Sequence, residues 1–217
     1  LCRAAAVVDS HPFPAALTPA AAELFDTLGR HSGFALRLVF ANLWCFLPLL
    51  KRICTKSGGE MNALMRTTCC FTMMEGSRAA NAIPTEARMT ANLRLSPLDT
   101  METAVERLRR VIGDPDVSVR TVQGTNPSPV SPTNTPEWER LRRAIRMTWP
   151  EAIVSPYMMV ACSDSRHFCA ISENVFRFSA MELSKEERGC IHGLNERVPT
   201  EKIGRAAEFF TRVLLSC

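Results

Sequence analysis

The sequence predicts an α/β protein in two domains, residues 1–123 and 124–217, and three observations carry that expectation. Residues Thr67–Met74 and Ala87–Leu95 read as strands, the second alternating Ala87, Met89, Ala91, Leu93 and Leu95 against polar neighbours. Helical spacing recurs on either side of them, in Leu24, Leu28, Leu36, Val39, Phe40 and Leu43 before and in Val105, Leu108, Val111 and Ile112 after. Between the two predicted domains, residues 124–136 consist largely of Pro, Ser, Thr and Asn, the composition of a connector.

The elements follow in order. Residues 1–55 read as helical, broken near the start by Pro12, Pro14 and Pro19. Within them residues 34–50 are apolar but interrupted by Arg37, Asn42 and Pro48, which predicts a buried helix and no membrane span. The two strands join through residues 76–86. Pro97-Leu98-Asp99-Thr100 then opens a helix that Gly113 and Pro115 end. Val117, Val119 and Thr121 predict the strand after it. Helix, strand, strand, helix, strand is an α/β sandwich of the split βαβ kind lacking its first strand, and Leu1 stands where an initiator Met would. Both features predict a chain that begins inside a longer one. Beyond the connector a helix is expected over residues 137–148 and a strand over 153–160. A short helix over 163–169, a strand over 174–178, a loop around His192 and a last helix from about Thr200 to Leu215 complete a second α/β unit.

Composition excludes several classes. With 46% apolar and 22% charged residues the chain is globular, neither a disordered tail nor a collagen. The net charge is only +4, without a block of like charges, which gives no reason to expect a nucleic-acid partner. The nine cysteines fall at irregular spacing without a C-x-x-C pair and are expected to be free, buried thiols. Cys69 and Cys70, adjacent in a strand, face opposite sides and read as packing. The compartment stays open.

Four segments carry candidate chemistry: Gly76-Ser77-Arg78-Ala79-Ala80-Asn81-Ala82-Ile83-Pro84, Arg94-Leu95-Ser96-Pro97, Ser163-Asp164-Ser165-Arg166 and Ile191-His192-Gly193-Leu194-Asn195-Glu196. Taken alone, each has a plain reading. Arg94 is a strand-end guanidinium, able to grip a carboxylate through two parallel hydrogen bonds or simply to face solvent. Asn81 suits a turn. Ser163 and Asp164 can cap a helix or leave its N–H groups for an anion. A lone histidine such as His192 more often finishes a loop than holds a metal. Cys162, Cys169, His167, Cys190 and His192 make a rival structural zinc set whose spacing matches no usual knuckle.

In this order and spacing the four segments resemble the C-terminal half of zinc metallopeptidases related to carboxypeptidase S, aminoacylase and glutamate carboxypeptidase. The resemblance runs from about Ala63 to the C-terminus. It implies a lid or dimerisation domain, here carrying a helical insertion, followed by the returning part of the catalytic domain. It implies His192 as ligand to one of two zinc ions, Arg94 as the group that binds the substrate's free carboxylate, and Asn81 facing substrate across a homodimer interface. Ser163 and Asp164 line the same site, although the small pair before them is commonly Gly-Gly in the family and here is Ala161-Cys162. The implied substrates are N-acyl amino acids or small peptides. Glu196 is expected to fix the loop or start the last helix, since the family's general base and remaining zinc ligands lie upstream of the lid. Residues 1–217 alone are therefore expected to hold zinc weakly and to be inactive. The alternative class is a non-catalytic dimerisation or binding module. An RNA-binding version is disfavoured because only Phe71 supplies an aromatic on the central strands.

Overall fold

A computed structural model describes residues 1–159, 161 and 163–217. The chain divides into two compact units, Leu1–Val130 with Tyr157–Cys162, and Ser131–Pro156 with Ser163–Cys217. The α/β class holds as a set of helices with one small antiparallel sheet.

The first unit opens with α1 (Cys2–Ser10), α2 (Pro19–Arg30), α3 (Phe34–Ala41), α4 (Leu43–Ser57) and α5 (Gly59–Ala63). Helix α2 starts where it does because the buried Thr18 hydroxyl accepts from the Ala21 N–H at 3.2 Å and Pro19 occupies the first turn. Its Phe25, 2% exposed, stacks on Phe40 of α3 with ring centroids 5.4 Å apart. That approach requires Gly29, since a Cβ there would lie 2.7 Å from the Phe40 side chain. Ala21, Phe25, Leu50, Cys54 and Met65 form one core, and burial of a ring such as Phe25 contributes roughly 1.5–3 kcal/mol.

Strands β1 (Thr68–Glu75) and β2 (Arg88–Arg94) pair antiparallel, from Thr68 opposite Arg94 to Glu75 opposite Arg88, with an irregularity between Phe71 and Met73. Half-buried Leu93, Leu95 and Cys69 pack on Ala104 and Leu108 of α6 (Met101–Ile112). Helix α6 begins with a reciprocal Thr100–Thr103 capping box, and Asn126 Oδ1 accepts from Met101 N at 2.8 Å. The start of the Pro- and Ser-rich segment thus caps a helix as well as connecting.

The second unit is built on α7 (Pro136–Thr148), a 3-10 helix (Asp164–Ala170), α8 (Lys185–Gly189) and α9 (Thr200–Leu215). Ala144, Ile145, Ala180 and Phe209 form its core, and Trp149, Phe178 and Phe209 meet ring to ring within 6.0 Å.

Several expectations are corrected. Among the described residues the only strands are β1 and β2, so none forms at 117–121, 153–159 or 174–178; Val160, which would end the second of these, lies outside the described residues. In place of a ladder, the Ser131 hydroxyl accepts from Val175 N at 2.9 Å and donates to Val175 O at 3.1 Å, while Arg109 donates to Val119 O. The predicted buried helix over 34–50 is two helices bent by 107° at Asn42, and α3 has no buried residue. Of the eight described cysteines, all free, only Cys54 is buried.

Candidate functional site

Arg94 is the last residue of β2, on the sheet face opposite Leu93 and Leu95 by the alternation of the strand, and its side chain is exposed. The strand end is locked by a group the sequence did not single out. Thr67, 1% exposed, donates its hydroxyl to Asp99 and accepts from the Ser96 backbone N–H at 2.8 Å. The lock joins the residue before β1 to the turn after β2, fixing where Arg94 stands. Asn81 is exposed in the β1–β2 connection, where the Ser77 hydroxyl donates to Ala79 O at 2.9 Å and accepts from Ala79 N at 3.1 Å.

In the second unit the Ser163 hydroxyl accepts from Ser165 N at 3.3 Å, which caps the 3-10 helix, and Asp164 is exposed as its first residue. Ser165 in turn accepts from Arg177 Nε at 2.7 Å. His192 lies exposed in the turn after α8 with φ of +61°, a left-handed conformation that non-glycine residues seldom adopt. Gly193 follows with its N–H donated to Cys190 O at 2.9 Å, and a Cβ on it would lie 3.2 Å from that oxygen.

The bases of this loop are tied by Glu187, which sequence reasoning passed over in favour of Glu196. Glu187 caps α8 reciprocally with Ser184 and accepts from Lys202 Nζ of α9 at 2.6 and 2.8 Å. The Lys202 ammonium, with help from the Ser184 N–H, holds the Glu187 carboxyl below the ordinary carboxylate range. Glu196 itself is exposed in the irregular stretch before α9. A capping box written Ser-x-x-Glu at 184–187 was the available signal.

Arg94 and Asn81 thus belong to the first unit, and Ser163, Asp164 and His192 to the second. Among the described residues no three or more His, Cys, Asp or Glu side chains come together as a metal-binding group. Of the rival zinc set, Cys162 lies outside the described residues. A catalytic zinc takes three protein ligands, so the residues present do not by themselves fit the pair of zinc ions that the resemblance implies. No chemical step is derived through them.

Residues 14–120 match the peptidase dimerisation domain, which defines the first unit's hairpin and helix as that module. The chain is 32% identical over 192 residues to probable carboxypeptidase S-like 2 of Dictyostelium discoideum, covering 88% of this chain and 37% of that one. It is 34% identical over 193 residues to the N-fatty-acyl-amino acid synthase/hydrolase PM20D1 of Xenopus tropicalis, covering 88% and 38%. Carboxypeptidase S of Saccharomyces cerevisiae matches at 22% over 170 residues. No solved structure matches the chain. Residues 14–120 thus belong to the dimerisation domain of the M20 peptidases, a family of hydrolases, and the chain spans about 37% of the length of the Dictyostelium and Xenopus relatives and 30% of the yeast one.

Proposed function

We propose that these residues are the lid and returning catalytic portion of a metal-dependent amidohydrolase that cleaves N-acyl amino acids or small peptides with a free carboxylate. The observation that carries the reading is the relatives' match over 88% of the chain. Those relatives are a probable carboxypeptidase S-like protein and an N-fatty-acyl-amino acid synthase/hydrolase, and an amide beside a carboxylate suits both names. In this reading residues 1–123 form the lid, pairing two copies into a homodimer, and 124–217 return to the catalytic domain. Arg94 grips the carboxylate, Asn81, Ser163 and Asp164 complete its surroundings, and His192 supplies one metal ligand. The other ligands and the base come from chain outside these residues, and zinc is the metal proposed.

The test compares acid and amide substrates in a full-length enzyme carrying these residues. Arg94→Lys should raise KM for an N-acyl amino acid about tenfold or more and leave the corresponding N-acyl amino acid amide nearly unaffected, because a point charge replaces a two-pronged donor. Equal impairment of both would reassign carboxylate recognition. A second reading, a dimerisation module without chemistry, draws on the match of residues 14–120 to the peptidase dimerisation domain. Failure to hydrolyse either substrate with added metal would select it.

A further inference from the structure

Helix α4 is apolar on both of its sides. Leu43, Leu47, Leu50 and Cys54 belong to or pack on the first core. Trp44, Cys45, Pro48, Leu49, Arg52 and Ile53 are all exposed, and at 100° per residue their spacing makes one continuous stripe along the helix. Trp44 is 83% exposed, and Leu49 and Ile53 are each 50% exposed. Helix α3 adds Phe34, 82% exposed, with Leu36 and Leu38. A surface this apolar is costly to leave in water.

Its charge says what covers it. Residues 34–59 contain Arg37, Lys51, Arg52 and Lys56 and no Asp or Glu. A second copy docked on the same face would set these cations against their own kind, whereas an anionic surface would complement them. Among the acids around it, Glu60 follows in α5, and Glu23 and Asp26 of α2 line a shallow groove with Phe40, Leu43 and Trp44, where Asp26 is paired with Arg30 at 2.9 Å. Tryptophan beside aliphatic side chains, flanked by Lys and Arg that can extend their heads to phosphate, is the composition of helices lying in a bilayer interface. Among the described residues no single helix is long and apolar enough to cross a membrane, and the pair α3 and α4 is bent by 107°. We propose that α3 and α4 form a docking surface that lies in the interface of a membrane rich in anionic phospholipid, independently of the chain's enzymatic role.

Purified chain is sedimented with vesicles of phosphatidylcholine alone and with vesicles enriched in phosphatidylserine. Binding should be about tenfold or more tighter to the second kind and should weaken with added salt. Trp44 fluorescence should be quenched by brominated acyl chains, and that quenching should be absent from Trp44→Phe. Leu49→Ser combined with Ile53→Ser should lower vesicle affinity about tenfold, since both side chains lose apolar contact with the acyl boundary. Arg52→Glu combined with Lys56→Glu should abolish the preference for phosphatidylserine while circular dichroism stays unchanged. Equal binding to both vesicles, no binding to either, or undiminished binding by both double variants would overturn the proposal. So would concentration-dependent dimerisation lost in Leu49→Ser/Ile53→Ser without vesicle binding, which would give the face to a second copy.

Discussion

His192 holds a backbone conformation that costs a side-chain-bearing residue roughly 1–2 kcal/mol, and it does so with the ring exposed. Glycine would occupy that place more cheaply, and Asn195 in the same loop shares the conformation with φ of +60°. His192→Gly is expected to raise stability by about 1 kcal/mol in thermal unfolding of residues 1–217 while removing the metal ligand proposed for the full-length enzyme. A loss of stability instead would show that the ring holds the loop. Thr67 is the opposite case, a residue whose value lies in burial. Thr67→Val keeps the shape but strips Ser96 N and Asp99 of their partner, at a cost of about 1–3 kcal/mol in denaturant unfolding. Sequence reading found Arg94 at the strand end but not the Thr67 lock, because a threonine beside a strand carries no sign of the hydroxyl's partners 29 and 32 residues away.

At the scale of elements, the amphipathic helices were legible: α6 between Thr100 and Gly113, α7 over residues 137–148, and α9 from Thr200. The hairpin was legible too, because β2 alternates and buries one face on α6. Residues 117–121 and 174–178 alternate just as well yet form no strand, since strand propensity expresses itself only with a neighbour to pair. Phe176 and Phe178 are held instead by rings, against Trp138 at 5.4 Å and Trp149 at 6.0 Å. The 34–50 stretch was misread because apolar content cannot tell a core helix from one with an exposed apolar face. The tie between α8 and α9 makes a pH-dependent expectation. The folded Glu187 carboxyl lies below its ordinary value, so its contribution is complete above the ordinary carboxylate range and is lost as pH falls through the depressed folded value. Amide hydrogen exchange across residues 190–199 should quicken over that acid window, and Glu187→Gln should remove most of the dependence. An unchanged pH profile in the variant would assign the loop's order to other contacts.

For the whole molecule, the decisive contrast is between residues 1–217 and the longer relatives, of whose length they span about 37%. Residues 1–217 present one candidate zinc ligand in an exposed turn, and no group of three among the described residues. They are expected to bind zinc weakly and to leave N-acyl amino acids intact with zinc added; chelator-sensitive turnover would reveal a metal site these residues do not display. The match to the dimerisation domain makes self-association the expected behaviour of the same chain, visible as a concentration-dependent shift in sedimentation velocity. The most direct measurement takes a full-length enzyme carrying these residues, wild type and His192→Ala, and follows hydrolysis of an N-acyl amino acid alongside bound zinc, with and without a chelator. The expected result is turnover that the chelator abolishes, with activity and zinc content falling together in His192→Ala. Turnover indifferent to the chelator, or a His192→Ala enzyme that keeps both its zinc and its rate, would contradict the assignment.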